Sequence, residues 1–515
     1  MHRPRTLGAL LALVLLFGAA AGAQQPLVLG TTDNPPTLEP TESYDFPGWW
    51  IIAHTHDGLL QLNPHTEALE PALATSWEIS DDGLVYTFHL REGVTFTDGT
   101  PFNAEAVKFS FERALKLNGD PVFLIGDIQK VEALDETTAR ITLGHPDATF
   151  LGKLAFDAPA FIVSPTSYTA ETVDETEKVT AVQGTIGTGP YRLAQYRPDE
   201  IAVLEAYEGY WGPKPPIQQV IVQYFPDASS LALAMRSGSL DVAWRSLNAE
   251  DLTAFRRDPR VQVIEGEGGL SLRYIVFDVT FKPFDDARVR QAIAHAVDRD
   301  AIIQQAFGGF NRPAYSMVPI GLPFRLETYP HRNLEEARTL LAQAGYTQAE
   351  PLSINLWFDA SGHYTDREAD VAAVLKASLE ETGVIQVQLQ PLEWGTMVDK
   401  FTSGELGFFL LGWYPDYLDP DNYIDPWYST AGGKSLGTFY SNEEVDRLLV
   451  LGRSFVDDAR RGQIYRQLQR IQFRDAATIP LWYNTLEHFA VAKPNVKNLL
   501  LPADMRLPLW LVEKE

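Results

Sequence analysis

Between Trp413 and Trp427 the chain gathers Asp416, Asp419, Asp421 and Asp425 with the rings of Trp413, Tyr414, Tyr417, Tyr423 and Trp427. Carboxylates attract cations, and large rings offer apolar walls and electron-rich faces. Such a loop suits gripping a cationic or amphipathic small molecule. Four acids within ten residues repel one another unless something positive is nearby, because a desolvated carboxylate is tolerated only when it is paired. A ligand cation, a metal and an internal arginine are the candidates. A purely structural reading stands beside these, since Asp419-Pro420-Asp421-Asn422 makes a turn by itself. A calcium loop fits poorly. Counted from Asp416, the sixth position should be glycine and the twelfth a bidentate glutamate, and they are Asp421 and Trp427.

Catalytic chemistry finds little footing elsewhere. Gly433-Lys434-Ser435-Leu436-Gly437 has the spacing of a nucleophile elbow, but its flanks, 428–433 and 438–442, are polar and unperiodic where a strand and a helix are required. The same segment fails as a phosphate loop because Tyr428 stands where the first glycine must be. His54 and His56 alternate and could share a strand face, but with no cysteine and no third ligand nearby they read as hydrogen-bonding wall residues rather than a metal site. No metal, cofactor or catalytic residue is expected, and the protein is expected not to be an enzyme.

The elements that must position the loop begin with 406–413, LGFFLLGW, an apolar strand in which Gly412 permits close approach of another backbone. Other strands fit 84–90, 138–143, 217–225, 272–279, 352–358 and 384–392. Helical periodicity covers 104–116 behind Asn103, 286–307, 334–344 between Asn333 and Gly345, 367–382 and 458–473. Helices and strands are interspersed, which predicts mixed α/β domains. The glycine cluster at 266–269 and the turn-rich region around Pro480 mark the two expected crossings between lobes, with a ligand cleft between them.

Residues 1–23 read as a secretory signal peptide: Arg3 and Arg5, an apolar run from Leu7 to Ala20, then small residues at Ala21-Gly22-Ala23. The remainder contains no apolar run long enough to span a membrane. The absence of cysteine removes both disulfides and the usual lipid-bearing residue, so a periplasmic protein without a lipid anchor is expected. The net charge of −26 becomes −28 once the two arginines of the leader are removed. Such a field disfavours nucleic acid and anionic lipid.

Several long blocks then carry a resemblance. Residues 71–113, PALATSWEISDDGLVYTFHLREGVTFTDGTPFNAEAVKFSFER, are the strongest, joined by 187–193, 230–243, 284–302, 335–346 and 393–405. The chain resembles the dipeptide/oligopeptide-type solute-binding proteins of ABC importers, bacterial extracellular solute-binding family 5. The resemblance implies a two-lobed periplasmic-binding-protein fold of the large peptide-receptor type, closing about two crossing strands. Its expected parts are lobe I over 24–270 with an extra subdomain at about 46–185, lobe II over 271–480, and a return to lobe I over 481–515. It implies a monomeric receptor that captures peptides, oligopeptides rather than dipeptides, and delivers them to a membrane permease. An oligosaccharide receptor of the same fold is the alternative. Asp416 would pair the ligand's α-amino group, Trp413, Tyr414 and Tyr417 would lie along the ligand, and main chain near Gly412 and Tyr414 would add it as a strand. Where dipeptide-type members hold the ligand carboxylate with an arginine, this chain has His363, with Arg367 four residues on. That departure lowers the dipeptide reading.

Overall fold

The computed structural model describes residues 25–156, 160–170, 172, 185–266 and 268–515. The signal peptide expected at 1–23 lies outside the described residues. Two large sheets organise the chain. The first holds Leu27–Thr31 at its centre, parallel to Gln219–Tyr224 on one side and to Val242–Trp244 on the other. Ile201–Ala206 and Tyr191–Arg197 extend one edge, Phe489–Ala492 and Gln262–Glu265 the other, all antiparallel. The second is built on Leu272–Phe277, flanked antiparallel by Phe408–Trp413 and Thr478–Tyr483; Leu352–Asp359 then pairs parallel with Ile385–Leu392. The run LRYIVF is buried at every position, as a central strand covered on both faces must be.

A third, four-stranded sheet orders Ala74–Ile79, Val85–Leu90, Thr138–Leu143 and Ile128–Asp135. Burial alternates along Val85–Leu90 and Thr138–Leu143, so one face meets a core of its own. The helix Ala104–Leu117 contributes Val107 and Phe111 to that core, and the Asn103 side chain caps it by accepting from the Ala106 N–H at 3.1 Å.

The chain passes from the first sheet to the second between Glu265 and Leu272, and returns between Tyr483 and Phe489. Gly266 lies against the Leu501 backbone, and a Cβ on Gly268 would sit inside the His488 ring. The glycines therefore let the outgoing strand run against the returning one. Pro480 is not in the crossing: it lies inside the strand Thr478–Tyr483, opposite Tyr274 beside a bulge, where a missing N–H is tolerated. The helical pattern at 286–307 is also two helices, Ala287–Ala296 and Arg299–Phe307. Val297 is extended and Asp298 caps the second by accepting from the Ala301 N–H at 2.9 Å.

Candidate functional site

The strand Phe408–Trp413 delivers the aromatic and acidic loop to the end of the second sheet nearest the crossings. Beyond it the chain is tightly wound: Pro420–Tyr423 forms a 3-10 turn capped by Asp419, which accepts from the Asp421 N–H at 2.9 Å, and Asp425–Tyr428 a helical turn. Its acids divide sharply by partner. Asp419 pairs with Arg461 at 2.7 Å. Asp421 accepts from Arg453 at 2.8 and 2.9 Å, from the Tyr417 hydroxyl at 2.8 Å and from the Tyr465 hydroxyl at 2.9 Å. Asp425 lies 2.9 Å from Arg453. Internal arginines thus neutralise three of the acids and fix the loop's shape.

Asp416 is different. It is 5 % exposed, and its hydrogen-bond donors are neutral: Asn422 Nδ2 at 2.9 Å on one oxygen and the Tyr44 hydroxyl at 2.8 Å on the other. Asn422 Oδ1 in turn accepts from the Asp416 N–H and from Trp413 Nε1, both at 3.0 Å, which locks the carboxylate's position. Burial pushes the Asp416 carboxyl up to about 6, against the hydrogen bonds from Asn422 and Tyr44 and the more distant charge of Lys153. Tyr44 belongs to the segment preceding helix Phe46–Thr55, which packs in the first sheet's core. The contact therefore reaches Asp416 from the opposite lobe.

Tyr414 also bridges the lobes. Its ring packs against the first sheet's core and its hydroxyl donates to Glu487 at 2.8 Å, in the returning crossing. Glu487 and Asp33 both flank the buried Arg245, each at 3.1 Å. The Arg245 guanidinium lies over the Phe46 ring at 3.8 Å. Tyr417 stands under Lys153, 5.0 Å from its ring centroid. The Gly412 carbonyl accepts from the hydroxyls of Tyr364 at 3.1 Å and Tyr274 at 3.3 Å, and a Cβ there would meet Tyr364 and Arg273 at 2.7 and 2.5 Å. That glycine makes room for side chains of its own lobe.

His363 stacks on Trp394 with centroids 4.0 Å apart, its N–H donates to Asp359, and burial lowers its pKa to about 4. Arg367 turns to Glu250 of the first lobe at 3.4 Å. Sequence patterns did not reveal Tyr44, Arg245, Glu487, Arg273 or Glu368. Of these, Arg273 left a readable trace, a lone charge within an otherwise apolar strand; it is buried and paired with Glu368.

The remaining candidates are structural. His54 lies in the helix Phe46–Thr55, not on a strand, with Nδ1 2.7 Å from the Trp50 carbonyl and Nε2 accepting from the Leu509 N–H at 3.1 Å. His56 contacts the hydroxyls of Thr55 and Tyr168. Gly433-Lys434-Ser435 sits within the short helix Thr430–Ser435, without a strand ahead of it. Among the described residues no group of three or more His, Asp or Glu is placed to hold a metal ion.

Comparison with known proteins places this geometry among relatives. The family model described as "Bacterial extracellular solute-binding proteins, family 5 Middle" matches residues 68–435. The chain is 33 % identical over 475 residues to heme-binding protein A of Haemophilus influenzae, covering 86 % of this chain and 83 % of that protein. It is 30 % identical over 486 residues to the probable D,D-dipeptide-binding periplasmic protein of Escherichia coli, covering 93 % and 92 %. A solved structure, the ABC transporter-associated periplasmic binding protein DppA of Helicobacter pylori in complex with the peptide STSA, superposes with a TM-score of 0.80 at 27 % identity, covering 95 % of this chain and 98 % of that one.

Proposed function

The chain belongs to the bacterial extracellular solute-binding proteins, family 5, and on that premise we propose that it is a periplasmic receptor that captures peptides and hands them unchanged to the membrane permease of an ABC importer. The observation that carries this reading is the division of the loop acids: three are neutralised by arginines, whereas Asp416 is buried, held by neutral donors and touched from the opposite lobe. A buried carboxylate without a cation is costly. A ligand ammonium enclosed by lobe closure removes that cost, so Asp416 is the amine anchor. Trp413, Tyr414 and Tyr417 line the ligand's path. With the Gly412 carbonyl engaged by two tyrosines, main-chain pairing falls to the residues after it. His363, neutral and stacked, and Arg367, turned to Glu250, border the far end. Oligopeptides fit this arrangement better than dipeptides, because no free arginine stands at the position that would close the site after two residues.

The hinge is assigned to the two crossings, 266–271 and 484–488, and the receptor acts as a monomer. The oligosaccharide alternative draws no support from the relatives above, whose names carry haem and peptides. Native mass spectrometry of protein purified without denaturation tests the proposal: retained peptides with free amino groups are expected. Retained saccharide, or turnover of added peptides, would contradict it.

A further inference from the structure

We infer that the cleft reads a single cationic end of its ligand and makes no use of a carboxylate at the other, so that peptides with amidated C-termini are ligands as good as the free acids. The inference rests on the peptide reading above. Among the described residues Arg245, Arg273 and Arg367 stand beside the contacts between the lobes, and each has a carboxylate partner within the protein, as has Lys153, which lies over Tyr417 and pairs with Asp147 at 2.7 Å. Arg245 lies between Asp33 and Glu487. Arg273 pairs with Glu368, and the Tyr364 ring, 4.0 Å from its guanidinium, covers it. Arg367 has Glu250 at 3.4 Å, Asp366 at 3.5 Å and Asp370 at 3.7 Å. The side chains of Arg245, Glu487, Arg273 and Glu368 are all 13 % exposed or less.

A ligand carboxylate reaching Arg245 or Arg273 would have to displace a buried glutamate or aspartate. That leaves a second desolvated carboxylate without its counter-charge, which cancels the gain. His363, kept neutral by its burial against Trp394, offers no cation instead. The asymmetry is complete at the other end, where Asp416 receives only neutral hydrogen-bond donors.

The test offers one randomised tetrapeptide mixture in three forms, free acid, C-terminal amide and N-acetylated, to the ligand-stripped protein and measures retention by native mass spectrometry. Free acid and amide should be retained to within about threefold of each other, and the acetylated form should fall by about tenfold or more. Loss of the amide with retention of the free acid would overturn the inference and leave the peptide receptor standing. Equal retention of all three forms would overturn it too, because the cationic end would then go unread. Retention of none would sink the peptide reading and this inference together.

Discussion

Asp416 bears its charge in a place where burial opposes it, and the consequences of that conflict can be read against pH. Its ordinary value is 3.8 and its folded value about 6, so the folded protein binds this proton more readily than the unfolded chain does. The group's contribution to stability is therefore most favourable below about pH 4 and is lost as pH rises through 6. Asp416→Asn stays uncharged and keeps partners for Tyr44 and Asn422. It should raise the ligand-free Tm by roughly 2 °C at pH 8, and thermal scans should show the gain vanishing towards pH 4. Ligand affinity runs the other way, because an ammonium needs the ionised form. Well below its pKa a carboxylate loses tenfold of its charged population per pH unit, so the Kd of an amine-bearing peptide should weaken by about fivefold between pH 6 and pH 5 and by about tenfold more between pH 5 and pH 4. Calorimetry over that range checks it. Tyr44→Phe removes a donor to this carboxylate, a bond of roughly 1.5 to 3 kcal/mol when the acceptor is charged. It should weaken binding about tenfold or more and lower the ligand-free Tm by no more than about 3 °C, since the Tyr44 ring is 40 % exposed and little packing is lost with its hydroxyl.

The loop shows what an element adds to its residues. Asp421 is fully buried and takes four hydrogen bonds from Arg453, Tyr417 and Tyr465. Asp421→Ala strands Arg453 beside Asp425 alone and should cost on the order of 3 to 5 kcal/mol. Chemical denaturation should show that loss with or without ligand, whereas Asp416 variants should show theirs only in binding. Composition drew attention to this loop because clustered acids demand explanation, but could not divide them: Arg453 and Arg461 lie on helices Glu443–Ser454 and Asp458–Asp475, and which carboxylate each meets is decided by packing. Regular elements were easier to read. Asn103 and Asn333 each cap a helix through a side-chain oxygen, a local effect that spacing exposes. The split at Val297 and Asp298 was hidden because helical periodicity continues across a two-residue interruption. Pro480 misled because proline usually ends strands, and only the bulge opposite Arg273 and Tyr274 makes it acceptable. Tyr44 left no trace, since its role depends on a partner 372 positions away.

At the scale of the molecule, the two sheets are joined only through short crossings, and the outgoing crossing is glycine-rich where it meets His488. In the proposed receptor lobe closure would be concentrated in these few backbone positions while each core moves as a unit. Among the described residues the lobes meet through polar contacts, Tyr44 to Asp416, Tyr414 to Glu487, Arg367 to Glu250 and the Ala148 N–H to the Arg453 carbonyl at 2.7 Å, and through rings, Tyr414 on the first sheet's core, Lys153 over Tyr417 and Phe310 against Phe489. A ligand that bridges both lobes favours the closed form by mass action. Small-angle scattering should record a smaller radius of gyration at saturating peptide; an unchanged value would remove the two-lobe mechanism. In the proposed receptor a charge pair forms at closure between Asp416 and the ligand amine. Calorimetry on wild type and Asp416→Asn, each with one retained peptide in free and N-acetylated forms, isolates that pair as a double-mutant cycle. Loss of a buried pair worth on the order of 3 to 5 kcal/mol should weaken the free peptide by about 100-fold or more in the variant. The acetylated peptide should bind wild type poorly and lose little further. Equal losses for both peptides would make Asp416 a structural residue of the loop and contradict the account.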